Sequence, residues 1–143
     1  MTKSEILAAL FNKYGLVFDA SNPDSKDNDV FIHKHYRIIT RTGIQKIEKG
    51  SGIKCKIDIV HSGPTFCNVT GTGTTSDGVE YTTLASANQE NCTNSYYAEM
   101  AEKRCRSRLI LTLAGLYEQG VFGEDEAEAF DRNNVKTAAY KGR

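Results

Sequence analysis

Apolar and polar positions alternate with two different periods along this chain. Ile53 to His61 alternates by twos, with Ile53, Cys55, Ile57 and Ile59 against Lys54, Lys56 and Asp58. Thr65 to Thr75 sets Phe66, Asn68, Thr70 and Thr72 against Cys67, Val69, Gly71 and Gly73. Val79 to Asn88 sets Val79, Tyr81, Thr83, Ala85 and Ala87 against Glu80, Thr82, Leu84 and Ser86. A period of two predicts strands. The turns Ser62-Gly-Pro64 and Ser76-Asp-Gly78 join them, and Asp-Gly supplies the positive φ angles of a tight hairpin. Three consecutive strands with short turns predict an antiparallel meander. Its Gly, Thr and Ala positions leave one face thinly covered, which suits a helix laid close across it.

From Asn94 to Gly120 the period changes to that of a helix. Ala98, Ala101, Cys105, Leu109, Thr112 and Leu116 fall on one face, Asn94 or Ser95 can cap the start, and Gly120 can end it. Shorter helices are predicted at Ser4 to Tyr14, with Thr2 or Ser4 as cap, and at Arg41 to Glu48, with Thr40 or Thr42 as cap and Gly50-Ser-Gly52 as stop. Leu16 to Phe18 reads as a brief extended piece. Asp19 to Asp29 reads as a mobile polar loop, and Val30 to Thr40 as one long strand or a hairpin turning at His33-Lys-His35. Gly120 to Gly123 reads as a turn with Val121 and Phe122 tucked inward, and Glu124 to Arg132 as a short acidic helix with a solvated face. The expected fold is α+β: a three-stranded antiparallel meander, with an N-terminal strand or hairpin, packed against one long helix. Residues 1–132 form a single domain and residues 133–143 a polar tail.

Composition adds little until it is resolved along the chain. Lys plus Arg and Asp plus Glu number 18 each, for a net charge of zero. Locally the balance shifts. Val30 to His61 holds seven Lys or Arg against two acids, whereas Glu118 to Asp131 holds six acids and no base. A positive face and an acidic end suit local binding to a polyanion. The four cysteines (55, 67, 92 and 105) form no C-x-x-C pair or zinc pattern and read as buried thiols in a reducing compartment. No secretory leader or membrane span is visible, so a soluble, intracellular protein is expected. There is no P-loop, no G-x-G-x-x-G and no H-E-x-x-H. No enzyme activity, cofactor or metal is expected.

The candidate chemistry is cationic. Lys103, Arg104, Arg106 and Arg108 crowd the long helix. Glu99 and Glu102, one turn upstream, can pair with Lys103 and Arg106. Arg104 and Arg108 have no such partner and are the first candidates for an anionic ligand; a solvated salt-bridge face is the competing reading. Arg41, Lys46, Lys49, Lys54 and Lys56 extend a basic track if their elements lie beside the helix. Tyr96 and Tyr97 can stack on bases or join the core.

The run from Tyr97 to Leu116, the acidic Gly123-Glu-Asp-Glu-Ala-Glu128 after it and the Ile39 to Ile47 segment before the meander resemble the annealing core of phage recombination proteins. These are the Erf and Red-beta type and their eukaryotic Rad-type relatives, and the likeness in element order spans Val30 to Phe130. The resemblance implies ATP-independent binding and annealing of single-stranded DNA in homologous recombination. It also implies a ring or filament of identical subunits, a single-strand binding protein as a further partner, and the cytoplasm of a phage-infected or bacterial cell. Carried over by position, Arg104, Arg108, Lys54 and Lys56 hold the DNA backbone in a groove between sheet and helix, with Lys103, Arg106, Arg41 and Lys46 beside them. The alternative is a protein-interaction or inhibitory module of phage origin that uses the acidic helix and an open sheet edge.

Overall fold

The computed structural model describes residues 2–34 and 36–127. The chain runs α1 (Lys3–Lys13), β1 (Val30–His33), β2 (Tyr36–Ile39), α2 (Arg41–Ser51), β3 (Lys54–Gly63), β4 (Phe66–Thr74), β5 (Glu80–Asn88), α3 (Tyr97–Leu113), a 3-10 turn (Tyr117–Gln119) and β6 (Val121–Gly123). Residues 124–127 are helical. His35, the remainder of the expected acidic helix and the expected tail lie outside the described residues. The fold is α+β, with an antiparallel β3-β4-β5 sheet packed against α3, as the alternation predicts.

The meander keeps the predicted faces. Val69 pairs with Ala85 and Cys67 with Ala87, and all four are buried against Ala101, Cys105 and Leu109 of α3. The helix comes close because glycine lines its path. A β-carbon on Gly71 would sit 2.5 Å from Cys105 Sγ, and one on Gly73 would sit 2.7 Å from Leu113 Cδ1. Lys54, Lys56 and Asp58 face the other way, and a register shift between Ile59 and His61 bulges the strand at Val60.

A second sheet, β1-β2-β6, was not expected whole. β1 and β2 form a hairpin, one of the two arrangements the sequence left open, with Lys34 at φ 57° in its turn. Val121 to Gly123 is a strand rather than a turn; it pairs parallel to β2, with Ile38 opposite Phe122. α3 therefore packs on two sides. One side meets the meander; Ile110 and Leu111 on the other join Val30, Ile39, Ile44, Ile47 and Val121 in a separate core. That second layer explains why α3 buries residues beyond its predicted stripe, while Ala98 of that stripe is exposed.

α3 also ends earlier than expected. Leu113 is its last residue, and Gly115 takes the left-handed conformation (φ 82°) while its amide donates to Thr112 O. Gly120 instead closes the following 3-10 turn. At its start, neither Asn94 nor Ser95 is the cap; Tyr96 holds that position without a side-chain bond, and Asn94 Oδ1 accepts from the Tyr96 amide. α1 carries a Thr2–Glu5 capping box, and α2 is capped by Thr40, as predicted, but runs on to Ser51. No strand forms at Leu16 to Phe18. The Asp19–Asp29 loop is organised by its own side chains: Asn28 Oδ1 accepts from the Asp19 amide, and buried Asp29 accepts from the Val17 amide. No helix among the described residues is long and apolar enough to cross a membrane.

Candidate nucleic-acid interface

The candidate cations separate into four places. Arg104 is interior, 2% exposed. Ala101 and Ser107, three residues to either side, are small and buried, which lets neighbouring backbone approach. Its guanidinium donates to Asp125 O at 2.9 Å, Ser86 O at 3.0 Å, Asn91 Oδ1 at 2.8 Å and Asn91 O at 2.7 Å. Arg104 therefore welds β5, the loop after it and the segment after β6 to α3. Its expected place on a cationic surface is corrected: the absence of an upstream acid reflects partners supplied by distant backbone.

Arg108 lies one turn further on and is 29% exposed at its side chain. It donates to Leu84 O and pairs with Glu126, whose side chain is only 3% exposed. Burial holds the Glu126 carboxyl above the usual carboxylate range, against the pull of Arg108. Glu126 Oε2 is buried with no hydrogen-bond partner. The acidic run is thus no solvated face where it is described. Glu126 and Asp125 are buried, and Glu124 accepts from the Arg41 amide at 2.6 Å. The close approach of β6 to α3 sets this up, since a β-carbon on Gly123 would sit 2.8 Å from Ser107 Cβ. Arg104, Arg108 and Glu126 form one side of an open groove of about 510 Å³ whose apolar wall includes exposed Val60 and Leu84.

Three other cations converge between α2 and α3. Arg41, Lys103 and Arg106 line a groove of about 260 Å³ together with Glu48, Glu102 and Asp125. Arg106 bonds Glu102 at 2.7 Å and Glu48 at 3.0 Å; Arg41 bonds Asp125 at 3.2 Å and is half exposed. The Glu102–Arg106 pair is the one predicted from spacing. The predicted Glu99–Lys103 pair does not form, and Lys103 has no ion pair among the described residues.

Lys46 turns aside to Asp29, at 2.7 Å. Lys54 and Lys56 are exposed on the sheet face opposite α3, since their neighbours Cys55 and Ile57 pack towards it. A single basic track joining strand and helix does not form, because the alternation that buries Cys55 and Ile57 turns both lysines away. Tyr96 is 66% exposed, whereas Tyr97 packs against the meander core.

Sequence reasoning missed Asn91, Asp125 and Glu126 as anchors. The small residues three before and three after Arg104 were the available signal. Among the described residues no cluster of His, Cys, Asp and Glu could hold a metal ion. The fold and site define an α+β domain with an arginine-anchored β-β-β-α core and a mixed-charge groove between two helices. No family model, curated protein or solved structure matches the chain.

Proposed function

We propose that the chain binds single-stranded DNA by its sugar-phosphate backbone in the α2–α3 groove and, as a ring or filament, anneals it to a complementary strand without ATP. The observation that carries this reading is the convergence of Arg41, Lys103 and Arg106 from two helices onto one surface. Lys103 brings a charge with no ion pair among the described residues. Arg106 and its partner Glu48 are both partly exposed, and such a pair contributes only about 0–1 kcal/mol, so a phosphate can displace that carboxylate; Arg41 is half exposed and can reach a phosphate beside its buried partner Asp125. Contacts to phosphate leave bases free to search for a complement. In this reading Arg104 and Arg108 act as the frame that fixes α3, and Lys54 and Lys56 stand apart.

The test is binding of a labelled single-stranded oligonucleotide across a salt series. Lys103→Ala and Arg41→Ala should each lower the salt slope by about 0.7. Lys54→Ala, on the far sheet face, should leave it close to unchanged. Absent binding at low salt, or a slope indifferent to Lys103 and Arg41, overturns the proposal.

One observation favours a second reading, a protein-interaction module. Glu48, Glu102 and Asp125 interleave with the three cations, which also suits a partner protein of mixed charge. A partner retained after nuclease treatment and lost in Lys103→Glu would select it.

A further inference from the structure

The two edges of the meander differ. Along β5, Arg104 and Arg108 occupy the carbonyls of Ser86 and Leu84. Those carbonyls therefore point away from β4, and the ladder parity follows strand by strand. Leu84 faces Thr70 and Ser86 faces Asn68, so in β4 it is Asn68, Thr70 and Thr72 that turn their backbone groups towards β3. There they meet Lys56 opposite Thr72 and Asp58 opposite Thr70. Lys56 and Asp58 thus bond inward, and Cys55, Ile57 and Ile59 direct their N–H and C=O groups out of the sheet. No hydrogen bond from those outward groups to other backbone occurs among the described residues. Ile59 and Val60 beside them are each 61% exposed. An edge with unpaired backbone groups, alternating charges and exposed apolar side chains at Ile59 and Val60 is a template for another strand.

We infer that this edge pairs with β3 of a second copy of the chain, antiparallel, about a two-fold axis at Ile57. The charge pattern selects that register. Centred on Ile57, each Lys56 lies opposite Asp58 of the copy, Cys55 opposite Ile59, and Ile57 opposite itself. The outward groups of all three residues are then satisfied reciprocally, as an isologous contact requires. A centre at Lys56 or at Asp58 sets a like charge against itself. A centre at Cys55 sets Lys54 against Lys56. Opposite charges facing across an antiparallel pair stabilise it, and like charges destabilise it. The bulge at Val60 ends the regular edge just beyond the paired segment. This dimer does not depend on the DNA reading and forms without nucleic acid.

Sedimentation of the full chain over a concentration series, free of DNA, tests it. The mass should rise from 15.8 kDa to twice that. Lys56→Asp places two acids opposite Asp58 residues and should weaken association about tenfold or more. The swap Lys56→Asp with Asp58→Lys should restore it. Ile59→Pro deletes an outward N–H without removing a β3–β4 bond and should give a monomer whose circular dichroism spectrum matches the parent. A monomer at every concentration overturns the proposal. So does a dimer that ignores Lys56→Asp, or a charge swap that fails to restore what the single substitution removed.

Discussion

Arg104 and Arg108 stand one turn apart on α3 and donate to Ser86 O and Leu84 O, alternate carbonyls of β5. The match is geometric. Four helical residues advance about 6 Å, and two strand residues advance roughly 6.6 Å. As the helix ascends the strand descends, so the two arginines reach successive outward carbonyls in order. They seal one edge of the meander and fix the helix that carries Lys103 and Arg106.

Arg104→Ala should therefore be among the most damaging single changes. It leaves the carbonyls of Ser86, Asn91 and Asp125 without their donor in a buried setting. A loss of about 3–5 kcal/mol is expected, read from the urea midpoint. Arg104→Lys should recover only part of it, because an ammonium cannot span the same fork of acceptors.

Glu126 should make stability fall as pH rises. Its folded carboxyl is held above the ordinary value of 4.5 by burial, so between that value and the folded pKa the native state keeps a proton that the unfolded chain has released. This contribution is fully present below the unfolded pKa and is lost as pH climbs through the folded one. Glu126→Gln should match the parent under acid conditions and gain on it as pH increases through that window. Urea titrations of both proteins at several pH values give the difference, and a gap that stays flat with pH contradicts the assignment.

The helix–sheet approach should be intolerant of a single methyl group. Gly71→Ala would drive a β-carbon to 2.5 Å from Cys105 Sγ and 2.9 Å from Leu109 Cδ1. Overpacking of this kind costs about 1–3 kcal/mol. In a Cys105→Ala background the additional cost of Gly71→Ala should shrink, which a thermal-melt double-mutant cycle would show.

Cys105 should be inert in the native protein. It is fully buried, and burial pushes its thiol up to about 11, so the thiolate is scarce at neutral pH. Labelling with a thiol reagent at pH 7.5, resolved by peptide mass, should modify Cys105 only after denaturant is added. Half-buried Cys55 should react before it.

Neutralising the groove acids should strengthen the proposed DNA contact. Glu102 and Glu48 hold Arg106 at 2.7 and 3.0 Å. Glu102→Gln with Glu48→Gln removes two negative charges from the groove and frees that guanidinium. Oligonucleotide affinity at moderate salt should rise several-fold, with a steeper salt slope; unchanged affinity would separate this groove from the binding site.

The sequence by itself determined the meander, its inward and outward faces and the presence of three helices, and left Val30 to Thr40 as one long strand or a hairpin. Each is encoded by a local period: Val69 and Ala85 face inward because every second residue does, and Asp77-Gly78 turns because glycine accepts positive φ. Tertiary structure alone decided β6, since three residues are too short to show a period and a parallel pairing needs β2, more than eighty positions away. It also decided what each arginine does. Arg104 and Arg106 are two residues apart and chemically identical, yet one faces backbone carbonyls in the interior and the other faces carboxylates at the surface. Spacing along a helix fixes which residues share a face. What that face meets depends on which strands and turns fold against it, and here a second sheet and the Gly123–Ser107 approach brought the acidic run inward.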